Sequence, residues 1–154
     1  MTRKKKRILA VASGGGHFIE LLRLSPAWSS CETHYLTSLP GHADSIASEA
    51  RLHIVRDASR WNKAGVILMA IRIFWLLLRL HPRVIISTGA APGYFALRFG
   101  KLFGGKTIWV DSMAAEDSFS LAGSLAKRYA DLHLTPWPDL AVAGSRRYEG
   151  SVLG

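Results

Sequence analysis

Short apolar runs alternate with longer segments whose apolar positions recur every three or four residues. The short runs are "RILAVAS" (7–13), "THYLTS" (33–38), "LHIVRD" (52–57), "RVIISTG" (83–89), "KTIWVDS" (106–112) and "LHLTP" (132–136). Between them the pattern predicts helices near 17–25, 41–50, 62–81, 92–103 and 119–130. Several of the strands are nearly continuous apolar runs, as expected when helices cover both faces of a parallel sheet. Strand–helix alternation of this kind predicts an α/β fold, a Rossmann-like, doubly wound and mostly parallel sheet. Ligands of such sheets lie beyond the strand C-termini, where the strand order reverses. Residues 14–17, 88–93 and 111–116 all fall at that rim. No repeat or low-complexity linker interrupts the pattern, so 1–154 reads as one domain.

The segment "NKAGVILMAIRIFWLLLRL" (62–80) is apolar almost all the way around. At about 100° per residue Arg72 and Arg79 share one line, and Trp75 lies between them. A helix that is apolar on every side is normally buried or in lipid. Between Lys63 and Arg79 it is shorter than the ~20 residues a membrane span needs, and Arg72 interrupts it. Two readings stand: a core helix with snorkelling arginines, or a helix lying in a membrane interface through Arg72, Trp75 and Arg79.

Composition narrows the classes. With 49% apolar and 20% charged residues over 154 positions, the chain is that of a folded domain. The single cysteine, Cys31, excludes an internal disulfide, and the six histidines show no metal-ligand spacing, so no metal is expected. Net charge is +9, and five of the 20 basic residues sit in the opening "MTRKKKR". Arg3, Lys4, Lys5 and Lys6 therefore form a basic tail. It suits an anionic membrane face or nucleic acid, or is simply the solvated start of a strand. The apolar run that follows, "ILAVA", is too short for a signal peptide.

The first strand runs into "SGGGHFIELLRL" (13–24), three glycines and a histidine at a strand-to-helix junction. Consecutive glycines cost backbone entropy, and their usual return is close backbone approach to a ligand, often a phosphate. A dinucleotide fingerprint is excluded, because the third glycine position counted from Gly14 is Ile19 and no acidic residue closes the second strand. No Gly-Lys-Ser/Thr follows, so a P-loop is excluded too. No cofactor is expected.

Four ordered stretches resemble one family: "VASGGGHFIELLRL", "VIISTGAAPGYFALRFGKLFGGKTIWVDS", "FSLAGSLAKRYADLHLTPWPDLA" and "YEGSVLG". It is the acceptor-side subunit of split glycosyltransferases, found in PssD-type exopolysaccharide and capsule proteins. Its eukaryotic form is the membrane-anchoring subunit of the UDP-GlcNAc transferase of dolichol-linked N-glycan assembly. A more distant likeness is to the N-terminal half of MurG. The resemblance implies half of a GT-B enzyme, an inverting transferase subunit that holds a polyprenyl-pyrophosphate-linked acceptor at the cytoplasmic face of the membrane. A separate partner subunit would bind the nucleotide sugar. The chain departs from the eukaryotic pattern in showing no N-terminal membrane span, and in having Asp111–Ser112 where Glu–Ser is expected.

Carried over by position, Gly14, Gly15 and Gly16, with Ser13, would let the backbone approach the acceptor pyrophosphate. His17 is the candidate general base, since an ordinary imidazole titrates near neutrality; the alternative is a histidine that only hydrogen-bonds the loop or a phosphate. Thr88, Gly89, Pro92 and Gly93 would form a second wall. Asp111, Ser112 and Glu116 would meet sugar hydroxyls, with Asp111 or Glu116 as alternative bases, or simply cap a helix together with Asp117 and Ser118. In "TPWPDLA" Trp137, beside Pro138, is either an anchor for the partner subunit or packed on its own core. Two rival readings differ in class: a basic nucleic-acid-binding module, and a self-contained nucleotide-binding enzyme.

Overall fold

Side chains of the first strand, β1 (Arg7–Val11), leave alternately for two faces, and both faces are buried. Leu9 and Val11 enter one core, while Ile8, Ala10 and the adjoining Ala12 enter the other. That is the two-residue period of a strand with no solvent face. The computed structural model describes residues 5–59, 61–114 and 121–151. Within them five further strands follow: β2 (Glu32–Thr37), β3 (Arg51–Ile54), β4 (Val84–Ser87), β5 (Lys106–Val110) and β6 (Leu132–Leu134). Every neighbouring pair is parallel, and the order is β3-β2-β1-β4-β5-β6. The order reverses between β1 and β4, and ligands of such sheets bind beyond the C-terminal ends of the strands at that point.

The two faces are covered unequally. Helix α1 (Gly16–Arg23) and a 3-10 turn at Ser25–Trp28 cover one with Phe18, Leu21 and Trp28. Helices α2 (Lys63–Leu80), α3 (Ala90–Leu102) and α4 (Leu121–Ala126) cover the other. The Asn62 side chain caps α2 by accepting from the Gly65 amide at 3.0 Å, and His81 ends it in the left-handed conformation ahead of Pro82. Met69, Ile73 and Leu77 form its buried seam, at a spacing of four. Ile67, Leu68, Ile71 and Trp75 remain 43–60% exposed. Among the described residues, no helix is long and apolar enough to cross a membrane.

The helix expected over 41–50 is absent. A 3-10 turn at Pro40–Ser45 takes its place, with none of its residues buried, and Ile46 is extended (φ −98°, ψ 157°). Of its apolar residues only Ile46 and Ala50 pack on the core, and the His42 ring stacks on Phe18. So few contacts cannot hold a short helix, which depends on an apolar face. The connection leaves a cavity of about 480 Å³ beside Trp28 and Tyr35. The other elements lie within a few residues of their expected places; α4 is the shorter Leu121–Ala126, and 119–120 lie outside the described residues.

Candidate functional site

The loop from β1 to α1 lies at the rim where the strand order reverses, and its three glycines have three different reasons. Gly14 donates its N–H to Ser38 Oγ at 3.2 Å and presses on Leu39; a methyl group there would sit 2.0 Å from Leu39 Cδ1 and 2.8 Å from Cβ. Its bareness serves packing. Gly15 has φ 73° and ψ −140°, a conformation that side chains avoid, and a methyl on it would meet nothing within 4 Å among the described residues. Gly16, the first residue of α1, borders open space as well. The first amides of a helix lack intrahelical partners and carry partial positive charge, so this bare stretch suits an anion. Ser13 is half-buried beside it and donates to the Gly14 carbonyl at 3.4 Å.

The adjoining strand β4 supports the histidine. Thr88 Oγ1 donates to the His17 carbonyl at 2.6 Å. Gly89 (φ 145°) leaves room for the ring, since a methyl there would lie 2.9 Å from His17 Nδ1. Ala90 follows with φ 66°, a strained value for a residue with a side chain. Pro92 and Gly93 are buried between α3 and the sheet; a methyl on Gly93 would sit 1.9 Å from Ser87 Oγ. Both residues of this expected second wall are buried, and Gly93 is bare because α3 approaches the sheet there.

Sequence reasoning passed over Glu20, whose one signal was its spacing: three residues after His17, it shares a helix face with it. Its Oε1 accepts from Ser112 Oγ (3.0 Å) and from the Met113 amide (2.9 Å), and its Oε2 lies 3.8 Å from His17 Nδ1. Burial alone would raise the Glu20 carboxyl; the His17 ring, the Met113 amide and the Ser112 hydroxyl outweigh it and hold it below its ordinary value.

Asp111 is committed inward. Its Oδ1 accepts from Trp109 Nε1 (3.1 Å) and lies 2.9 Å from His133 Nε2, while Oδ2 is buried 3.4 Å from Arg146 Nε. Arg146 also donates to the Leu140 carbonyl at 3.0 Å. The carboxylate thus ties β5 to β6 and to the segment after it, and a base needs an oxygen that reaches its substrate. His133 and Arg146 carried no sequence signal, since only the fold brings them to Asp111. Glu116, Asp117 and Ser118 lie outside the described residues. Among the described residues, no group of three or more His, Cys, Asp or Glu side chains could hold a metal.

No protein-family profile matches the chain. Over 162 aligned residues it is 25% identical to the UDP-N-acetylglucosamine transferase subunit ALG14 of Yarrowia lipolytica, covering 88% of this chain and 75% of that one. The chain is a homologue of ALG14. Among solved structures, MurG of Acinetobacter baumannii superposes with a TM-score of 0.73 at 12% identity, over 93% of this chain and 45% of MurG. A UDP-N-acetylglucosamine 2-epimerase from Rickettsia bellii gives 0.72 at 10% identity, over 97% and 46%. The chain therefore spans a little under half of those structures. At such identities the likeness is one of fold, that of the N-terminal half of a GT-B glycosyltransferase.

Homology to ALG14 directs attention to two further surfaces. On α2, Arg72, Trp75 and Arg79 are exposed beside Ile67 and Ile71. Ile67 also edges an apolar groove of about 470 Å³ shared with Phe95 of α3 and Leu125 of α4. Lys5 and Lys6 are exposed, and the next residue, Arg7, donates to the Leu80 carbonyl at 2.6 Å, so the basic run starts where α2 ends. Arg3 and Lys4 lie outside the described residues. Trp137 is half-buried, with its indole nitrogen buried and without a hydrogen-bond partner among the described residues, whereas Pro138 is exposed.

Proposed function

We propose that this chain is the acceptor-binding subunit of an inverting glycosyltransferase that extends a polyprenyl-pyrophosphate-linked sugar. The observation that carries the reading is the bare Gly15–Gly16 stretch beside His17, at the switch in strand order of an ALG14 homologue. The loop amides would receive the pyrophosphate, and Ser13 and Ser112 would meet the sugar. His17 would take the proton from the acceptor hydroxyl as its oxygen attacks the anomeric carbon; the bond to the nucleotide diphosphate breaks on the opposite face. Asp111, held inside the fold, is left out of the chemistry, and Glu116 is the remaining alternative base.

A partner subunit would supply the nucleotide sugar, a reading supported by homology to a transferase subunit. Trp137 and Pro138 are candidate contacts for it. The exposed apolar side of α2, with Arg72, Trp75, Arg79 and the basic run from Arg3 to Lys6, would face the anionic cytoplasmic side of a membrane. Exopolysaccharide or capsule assembly, or another lipid-linked oligosaccharide pathway, would use such a subunit.

The test is reconstitution. The purified chain alone should transfer no sugar from a UDP-sugar to a short-chain lipid-pyrophosphate sugar, and a co-purifying donor subunit should restore transfer. In that complex His17→Ala should lower turnover by about 10²–10⁴-fold with acceptor binding largely kept. Robust turnover by the chain alone overturns the split-enzyme reading, and near-normal turnover in His17→Asn removes the imidazole from the chemistry.

A further inference from the structure

The contacts of Glu20 define a function for it that the glycine loop does not suggest. Its carboxylate spans from α1 to the end of β5, across the end of β4. Oε1 is fully used by the Ser112 hydroxyl and the Met113 amide, which fixes the plane of the group. Only Oε2 is left; it is buried, without a hydrogen-bond partner among the described residues, and 3.8 Å from His17 Nδ1. That ring nitrogen is also buried and without a hydrogen-bond partner among the described residues. Two buried polar atoms this close, a carboxylate acceptor and a ring nitrogen able to donate, lack a hydrogen bond by under an ångström, and a small turn of the ring would close it.

The other sides of the ring are set independently. Gly89 packs against its Nδ1 edge, and Thr88 Oγ1 holds the His17 carbonyl. The ring is one-third exposed, and its exposed part excludes Nδ1. We infer that Glu20 is a positioning residue: its Oε2 keeps the proton of His17 on Nδ1, so that Nε2 presents a lone pair to the acceptor hydroxyl, and its Oε1 locks that arrangement to the loop after β5. The partner of one ring nitrogen sets which tautomer is present. The inference rests on the proposed role of His17 in catalysis, but its first test does not.

Imidazole nitrogen shifts of the full chain, measured by long-range proton–nitrogen correlation above pH 8, report the tautomer without any turnover. The wild type should show His17 protonated at Nδ1, and Glu20→Ala should shift the population toward Nε2–H. Identical ring shifts in the two proteins, or an Nε2–H ring in the wild type, overturn the inference. Glu20→Gln keeps an acceptor for Ser112 and Met113 and guards against simple loss of fold. It should leave the melting temperature near wild type, and in the reconstituted complex lower kcat by about 10²-fold with acceptor KM within a few-fold. A normal kcat in Glu20→Gln also overturns the positioning role. Normal transfer by His17→Asn is a different failure: it removes the histidine from the reaction, and the tautomer result then stands by itself.

Discussion

Gly14, Gly15 and Gly16 are indistinguishable in sequence and distinct in space, and substitution should separate them. Gly14→Ala drives a methyl group into the side chain of Leu39 and should cost about 1–3 kcal/mol as overpacking. Gly15→Ala meets no neighbour but inherits φ 73° and ψ −140°, and should cost about 1–3 kcal/mol through backbone strain. Gly16→Ala meets open space at the first position of α1 and should be neutral, or stabilising by about 0.5–1 kcal/mol. Denaturant unfolding reads all three. If a pyrophosphate approaches this surface, Gly16→Ala should weaken acceptor use despite its sound fold. Unimpaired acceptor use in this variant would mean that the loop is a strand-to-helix turn alone. The run of glycines was therefore legible as a special site, but its division of labour was not, because Leu39 reaches Gly14 only through the parallel pairing of β1 with β2. Asp111 shows the same limit: a carboxylate at a strand end looks available until His133 and Arg146, 22 and 35 residues later, close around it.

Among the elements, α2 was the one whose sequence left two readings open, and its packing combines both. Since apolar residues surround it, no period identifies the buried side; contact with α3 and the sheet selects Met69, Ile73 and Leu77. The opposite side keeps Ile67, Ile71 and Trp75 in solvent, beyond what a core helix explains. Ile73→Ala should cost about 2–5 kcal/mol by leaving a cavity. Ile67→Ser with Ile71→Ser should change stability by only about 0.5 kcal/mol each. The same pair should reduce co-sedimentation with anionic vesicles, and vesicle binding unchanged by it would place the membrane contact elsewhere. The region 41–50 went the other way. Its alanines and Ile46 gave a weak helical period, but after Pro40 and Gly41 no continuous apolar face remains to hold a helix against β2 and β3.

At the scale of the molecule, the doubly wound sheet and its ligand rim followed from alternation alone, while the polar ties across the sheet were invisible because they join residues far apart in sequence. One of these ties governs acid stability. Arg7 pairs with Glu32, Glu32 lies 3.2 Å from His34 Nε2, and His34 Nδ1 lies 2.9 Å from His53 Nε2, linking β1, β2 and β3. Burial lowers His53 below its ordinary 6.5, and the neighbouring His34 and Arg51 lower it further. In the unfolded chain His53 gains a proton at a pH where the folded chain refuses it. The unfolded state then binds more protons, so stability falls as pH drops through 6.5 toward the folded value. The carboxylates act in a lower window. Arg7 and His34 lower Glu32, Lys101 and Thr107 lower Asp131, and contacts that outweigh burial lower Glu20. Their stabilisation is complete above the ordinary values of 4.5 and 3.8 and disappears as pH falls through the folded ones. Melting temperature should therefore decline in two stages, one beginning near 6.5 and one below about 4.5. His53→Gln, whose amide stays neutral throughout, should start from a lower melting temperature because His34 loses the imidazole that stacks on it and meets its Nδ1. It should nevertheless flatten the first stage and leave the second intact. A first stage of unchanged slope in that variant would assign it to another histidine.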